Sequence, residues 1–128
     1  MLLPALSAPR NMIAGLWTDL DPSSGGTVRT AVLGSAPNRR LVIEFAGVPL
    51  HYQPIEFASF QIVLHEGSGR AEVRLPPTAG DTSLRVTGLQ NATAGIGAAI
   101  LATNGALSSS NRFIVAPAAT RDAVLMYH

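Results

Sequence analysis

Asp19 and Asp21 stand two apart, directly ahead of Pro22-Ser23-Ser24-Gly25-Gly26, and make an oxygen-rich stretch in this 128-residue chain. A hard cation such as Ca2+ takes six to eight oxygen ligands, and Asp19, Asp21, Ser23 and Ser24 would supply a few of them. The same residues also spell a turn, in which aspartate caps backbone amides and leads into a φ-fixing proline. The spacing is not that of an EF-hand. Both readings stay open on the residues alone. Trp17 precedes this stretch, and with Tyr52 it is a candidate for lining a small-ligand or glycan cleft.

Other chemistries find little purchase. His51, His65 and His128 are far apart and fit no zinc spacing. No Gly-x-Ser-x-Gly elbow is present, and Gly67-Ser68-Gly69 reads as a hairpin tip. Gly95-Ile96-Gly97 does not continue into a dinucleotide fingerprint. The chain has no lysine, which removes phosphate-loop and Schiff-base chemistry. Glu44 and Glu72 are candidates for a carboxylate pair, but both fall on the outward positions of alternating strands, where a solvated charge is expected. Asn91-Ala92-Thr93 fits a glycosylation sequon. No catalytic residue is assigned, and the expectation is a protein that is not an enzyme.

Composition agrees with a binding or structural role. Charged residues are 13% of the chain, about half the usual share, and the formal net charge is +1. So weak a field excludes recognition of a nucleic-acid backbone. Cysteine is absent, which rules out disulfides and thiolate metal sites. No apolar run approaches the roughly 20 residues that span a bilayer. Met1-Leu2-Leu3-Pro4-Ala5-Leu6 lacks the basic and apolar regions of a signal peptide, so an export signal is expected outside this sequence. All-arginine cations and abundant alanine match the composition of a GC-rich bacterium.

The elements that must position these residues are strands. Short apolar runs alternate with Gly, Pro, Ser and Asn clusters every 8–12 residues or so, the pattern of a sandwich or barrel. Strands are predicted over 12–17, 27–33, 40–46, 58–65, 70–75, 83–87, 93–101, 112–116 and 123–127. Leu41, Ile43 and Phe45 share one face, as do Phe60, Ile62 and Leu64. Ala71, Val73 and Leu75 face away from Arg70, Glu72 and Arg74, an apolar-in, charged-out pattern. Glu66-Gly67-Ser68-Gly69 joins two of these runs into a hairpin. Glycines in 95–101 disfavour a helix there, and a strand is expected. The fold class is all-β: an antiparallel sandwich, jelly-roll-like or immunoglobulin-like, of eight or nine strands. Residues 1–117 form one domain; 118–128 are a connector and a terminal strand containing Val124, Leu125, Met126 and Tyr127. Such a strand must pair or remain an edge that invites association.

Two segments carry a family resemblance: Ile13-Ala14-Gly15-Leu16-Trp17-Thr18-Asp19-Leu20-Asp21-Pro22 and Phe60-Gln61-Ile62-Val63-Leu64-His65-Glu66-Gly67-Ser68-Gly69. The chain resembles a β-rich module of bacterial and archaeal surface and secreted proteins related to the nidogen-like (NIDO) domain. Ala92-Thr93-Ala94-Gly95 and Asn111-Arg112-Phe113-Ile114-Val115-Ala116-Pro117 follow in the family's order, so the likeness covers residues 3–117. Two features depart from it. Family members carry further strands before the proline matching Pro4, and their strand after the Glu-Gly-Ser-Gly turn commonly ends in an aromatic, where Leu75 is followed by Pro76-Pro77 here.

The resemblance implies an extracellular or cell-surface module acting in adhesion or architecture, with no catalytic residues to carry over. The expected partners are further copies of the chain or other surface proteins. Head-to-tail strand addition would make a filament, with the terminal strand over 123–127 as the donor. The alternative is a ligand- or glycan-binding module on a secreted protein.

Overall fold

A computed structural model of the chain describes residues 11–52, 55–76, 85–90, 97–103, 111–117 and 124–127. The strands are β1 (Met12–Trp17), β2 (Thr27–Leu33), β3 (Arg40–Pro49), β4 (Phe57–His65), β5 (Ala71–Leu75), β6 (Arg85–Gln90), β7 (Gly97–Thr103), β8 (Asn111–Pro117) and β9 (Val124–Tyr127). Among the described residues, a single 3-10 turn, Pro22–Ser24, interrupts them. The all-β expectation holds. The strand expected over 93–101 is found at Gly97–Thr103, its first residues lying outside those described, and 12–17 and 27–33 have the predicted bounds. Asn91-Ala92-Thr93, Asp81, Asp122 and His128 lie outside the described residues. Among the described residues, no helix is long and apolar enough to cross a membrane.

Two antiparallel sheets form, one of three strands in the order β1-β6-β7 and one of six in the order β2-β3-β4-β5-β8-β9. The chain therefore passes between sheets three times, after β1, after β5 and after β7. Alternation decides what lies between them. Phe45, Phe60, Val73 and Leu75 share the inner face of the large sheet, and Leu16, Leu20 and Ile62 complete that cluster. Each such side chain removed from water contributes about 1.5–3 kcal/mol. Phe45 and Phe60, cross-strand neighbours, stack with ring centroids 4.5 Å apart.

The sheets approach closely at Gly15. A Cβ built there would fall 2.4 Å from Phe60 Cε2, so the residue must be glycine for β1 to lie on β4. Pairing of β1 with β6 skips between Ala14 and Trp17, a bulge that frees the Gly15 carbonyl. The buried Thr87 hydroxyl donates to that carbonyl at 2.7 Å. A second irregularity follows Phe45 in β3, where the Gly47 amide donates to Ser59 Oγ instead of to a strand carbonyl.

The Glu66–Gly69 connection is the predicted hairpin. Gly67 and Gly69 take φ values of 80° and 67°, which the absence of a Cβ permits. Glu66 also reaches across to the neighbouring hairpin and accepts from Arg39 Nε at 2.7 Å and Arg39 Nη2 at 2.6 Å. This bidentate grip holds the Glu66 carboxyl down at about 2.

Candidate functional site

The loops carrying the predicted site residues meet at one end of the sandwich. Leu20 bridges to Leu50, the Asp21 amide donates to the Pro49 carbonyl, and the His51 amide donates to the Asp19 carbonyl, both at 2.9 Å. Asp21 caps the 3-10 turn. Its Oδ1 accepts from the Ser23 amide at 3.0 Å and from the Ser23 hydroxyl, and its Oδ2 accepts from Ser24 Oγ at 2.6 Å. These donors, the Ser23 hydroxyl first, hold the carboxyl at about 2. His51 Nδ1 lies 3.8 Å from Asp21 Oδ2. Asp19 is exposed and takes part through its backbone. The carboxylate of Asp21 is thus engaged as a turn residue would be. Among the described residues, no group of three or more His, Cys, Asp or Glu side chains could hold a metal ion.

Trp17 is half-buried at the end of β1, whereas Tyr52 is 82% exposed with its ring edge against His51. Ile55 and Phe57, also exposed, follow Tyr52 on the way into β4.

The outer face of the large sheet corrects one expectation. Glu72 is not solvated; it is 3% exposed. Arg112 Nε and Arg74 Nε donate to its Oε2 at 2.8 and 3.0 Å, Arg112 Nη2 to its Oε1 at 3.0 Å, and His65 Nε2 lies 2.7 Å from Oε1. Arg112 first, then His65 and Arg74, outweigh the cost of burial and hold this carboxyl at about 2. The reason is register. β5 is an inner strand with β8 as its neighbour, which sets Arg112 directly across from Arg74 and both beside Glu72. The sequence held no sign that β8 would return to β5 past two strands of the other sheet.

That row continues as Arg112, Arg74, Gln61, Glu44 and Arg29 across five strands. Arg29 Nη2 and Gln61 Nε2 donate to Glu44 at 2.6 and 2.8 Å, and Gln61 first, then Arg29, lowers its pKa. Beside the row lies a cavity of about 450 Å³, bordered by Glu44, Ser59, Gln61, Arg74, Pro76 and Arg112.

The edges of the large sheet are the third feature. β9 pairs with β8 of its own chain through Tyr127–Ile114, Met126–Val115, Leu125–Ala116 and Val124–Pro117, and stands at one edge. β2 stands at the other, and all seven of its residues are exposed. Among the described residues, β2 pairs only with β3.

No curated protein and no solved structure matches the chain. A family model described as NIDO related matches residues 2–124, nearly the whole sequence and both segments that carried the resemblance, so the chain belongs to the NIDO-related family.

Proposed function

We propose that this chain is a non-enzymatic structural or adhesion module that works outside the cell, as a self-associating part of a surface or filament assembly. The observation that carries the reading is β2, a seven-residue edge strand exposed along its whole length. Soluble sheets usually blunt such an edge with prolines, inward charges or a covering segment. The described residues of β2 include no proline, and their one charge, Arg29, is turned to Glu44. β9 stands at the opposite edge and, among the described residues, pairs only with β8. The NIDO-related match supports the extracellular setting. Size-exclusion chromatography with light scattering tests the reading. Species larger than the 13.3 kDa chain are expected as concentration rises, with and without calcium. A monomer at all concentrations, with no binding to bacterial surface extracts, would count against it.

A second reading, a ligand- or glycan-binding module, is favoured by the cavity beside Arg74 and Arg112 and by the exposed Tyr52 ring. A glycan array probed with the chain and with Arg112→Ala separates the two. Binding lost in the variant would favour this reading.

A further inference from the structure

We infer that the β2 edge is the contact of a two-fold dimer, in which Thr27–Leu33 of one chain pairs antiparallel with Thr27–Leu33 of a second copy, centred on Thr30. The inference rests on the self-association reading and specifies its partner, strand and register.

The argument starts from the strand's own sequence, Thr-Val-Arg-Thr-Ala-Val-Leu. Read about Thr30, it is self-complementary. Antiparallel pairing centred there sets Val28 opposite Val32 of the second copy, Arg29 opposite Ala31, Thr27 opposite Leu33, and Thr30 opposite itself. The two valines share the inner face of the sheet, since Val28 pairs with Phe45 and Val32 with Leu41. Directly opposed residues of an antiparallel pair interact, and like charges there repel. Moving the centre to Arg29 would oppose the two arginines. Centring on Ala31 would leave Thr27 and Val28 without partners. Thr30 is the centre that pairs all seven residues and keeps the charges apart.

A second observation points the same way. Val28 and Val32 are exposed, Val32 by 63%, although both stand on the face that elsewhere forms the core. Leu41 and Leu64 next to Val32 are only half-buried, and with Arg39 and Glu66 they border a depression on that face. In the dimer this face continues across the axis. One row reads Phe60, Phe45, Val28, then Val32, Leu41 and Leu64 of the second copy, apolar from end to end. The next reads Ile62, Ile43, Thr30, then Thr30, Ile43 and Ile62. A two-fold contact needs a patch that complements itself, and this edge has one. The product is one continuous sheet of two six-stranded halves with β9 at each outer end.

The test uses the full chain. It has no cysteine, so Thr30→Cys introduces a single thiol on the proposed axis. Directly opposed Cα atoms stand about 4.5–5.5 Å apart, within disulfide reach. Mild oxidation is expected to give a covalent dimer, at least severalfold more than Thr27→Cys, which would face Leu33 of the second copy. Val32→Lys, at an exposed site, is expected to keep the melting temperature of the monomer while weakening dimerisation at least tenfold. Oligomers that persist in Val32→Lys, with Thr30→Cys left uncrosslinked, would overturn the β2 dimer and leave self-association standing. Species that grow past the dimer with concentration in light scattering, while Thr30→Cys gives no disulfide-linked dimer, would also overturn it, in favour of β2 meeting β9 head to tail. A strict monomer would overturn both the dimer and the reading beneath it.

Discussion

The outer face around Glu72 and the edge strand β2 belong to one sheet, yet they reverse the usual relation between chemistry and exposure. Glu72, a carboxylate, is 3% exposed, and Val32, a valine, is 63% exposed. The position of the strand decides this more than the residue does. β5 has neighbours on both sides, and long arginine side chains from β5 and β8 close over Glu72; Val63, directly across from it on β4, is 1% exposed on the same outer face. Among the described residues β2 pairs only with β3 and stands at the edge of the large sheet. A buried charge must then be fully paired, and an uncovered apolar edge is free to be covered by something else.

The largest test of this contrast is removal of the buried acid. Glu72→Ala leaves Arg112, Arg74 and His65 without their shared partner and is expected to destabilise the fold by about 3 kcal/mol, measured by urea denaturation. The loss is kept from being larger because both arginines are about half exposed and regain water. A shift below about 1 kcal/mol would mean that Glu72 is not a keystone of this face.

Acid probes the same group without mutation. The carboxyl falls from an ordinary value of 4.5 to about 2 in the folded chain. A depressed carboxyl stabilises the fold above its unfolded value, so the contribution is complete above pH 4.5 and is lost as pH falls towards 2. About 2–3 kcal/mol should disappear over that window, and the loss should be absent in Glu72→Gln. Asp21 and Glu66 are lowered in the same direction and will add an acid-sensitive share to wild type and Glu72→Gln alike, so the Glu72 share is the difference between the two.

Gly15→Ala addresses how tightly the small sheet is held. Its Cβ would meet Phe60, which is itself packed on Phe45, so a cost of about 2 kcal/mol is expected by thermal or urea denaturation. At the edge, by contrast, Val32→Thr should change monomer stability by less than about 0.5 kcal/mol. A large effect there would show that the edge is already covered within one chain.

The strands themselves were legible in the sequence because each is written locally, in alternation and in turn residues. Leu41-Ile43-Phe45 and Phe60-Ile62-Leu64 mark one face by spacing alone, and Gly67 and Gly69 mark their turn by the φ values they allow. What could not be read is neighbourhood. Glu72 looks like any outward charge until β8, some 40 residues later, is placed beside β5. Arg39 and Glu66 are likewise joined only when two hairpin tips come together. Asp21 was legible as a residue of interest, but two roles fit its neighbours, and hydrogen bonds from Ser23 and Ser24 belong to the turn.

The bond from Thr87 to the Gly15 carbonyl joins residues 72 apart in the chain, and this separation sets a timetable. β2 to β5 form a meander in which each strand pairs with the next, so that half of the large sheet can assemble as its residues emerge. Among the described residues β1 pairs only with β6, so its pairing waits until β6 has been made. Closing so long a loop is slow compared with forming a hairpin. Amides of β3 and β4 should therefore become protected in pulsed hydrogen exchange before those of β1. Until β1 arrives, the apolar face of the meander waits in water, and the interval before that strand docks is when the nascent chain is most exposed to misassembly.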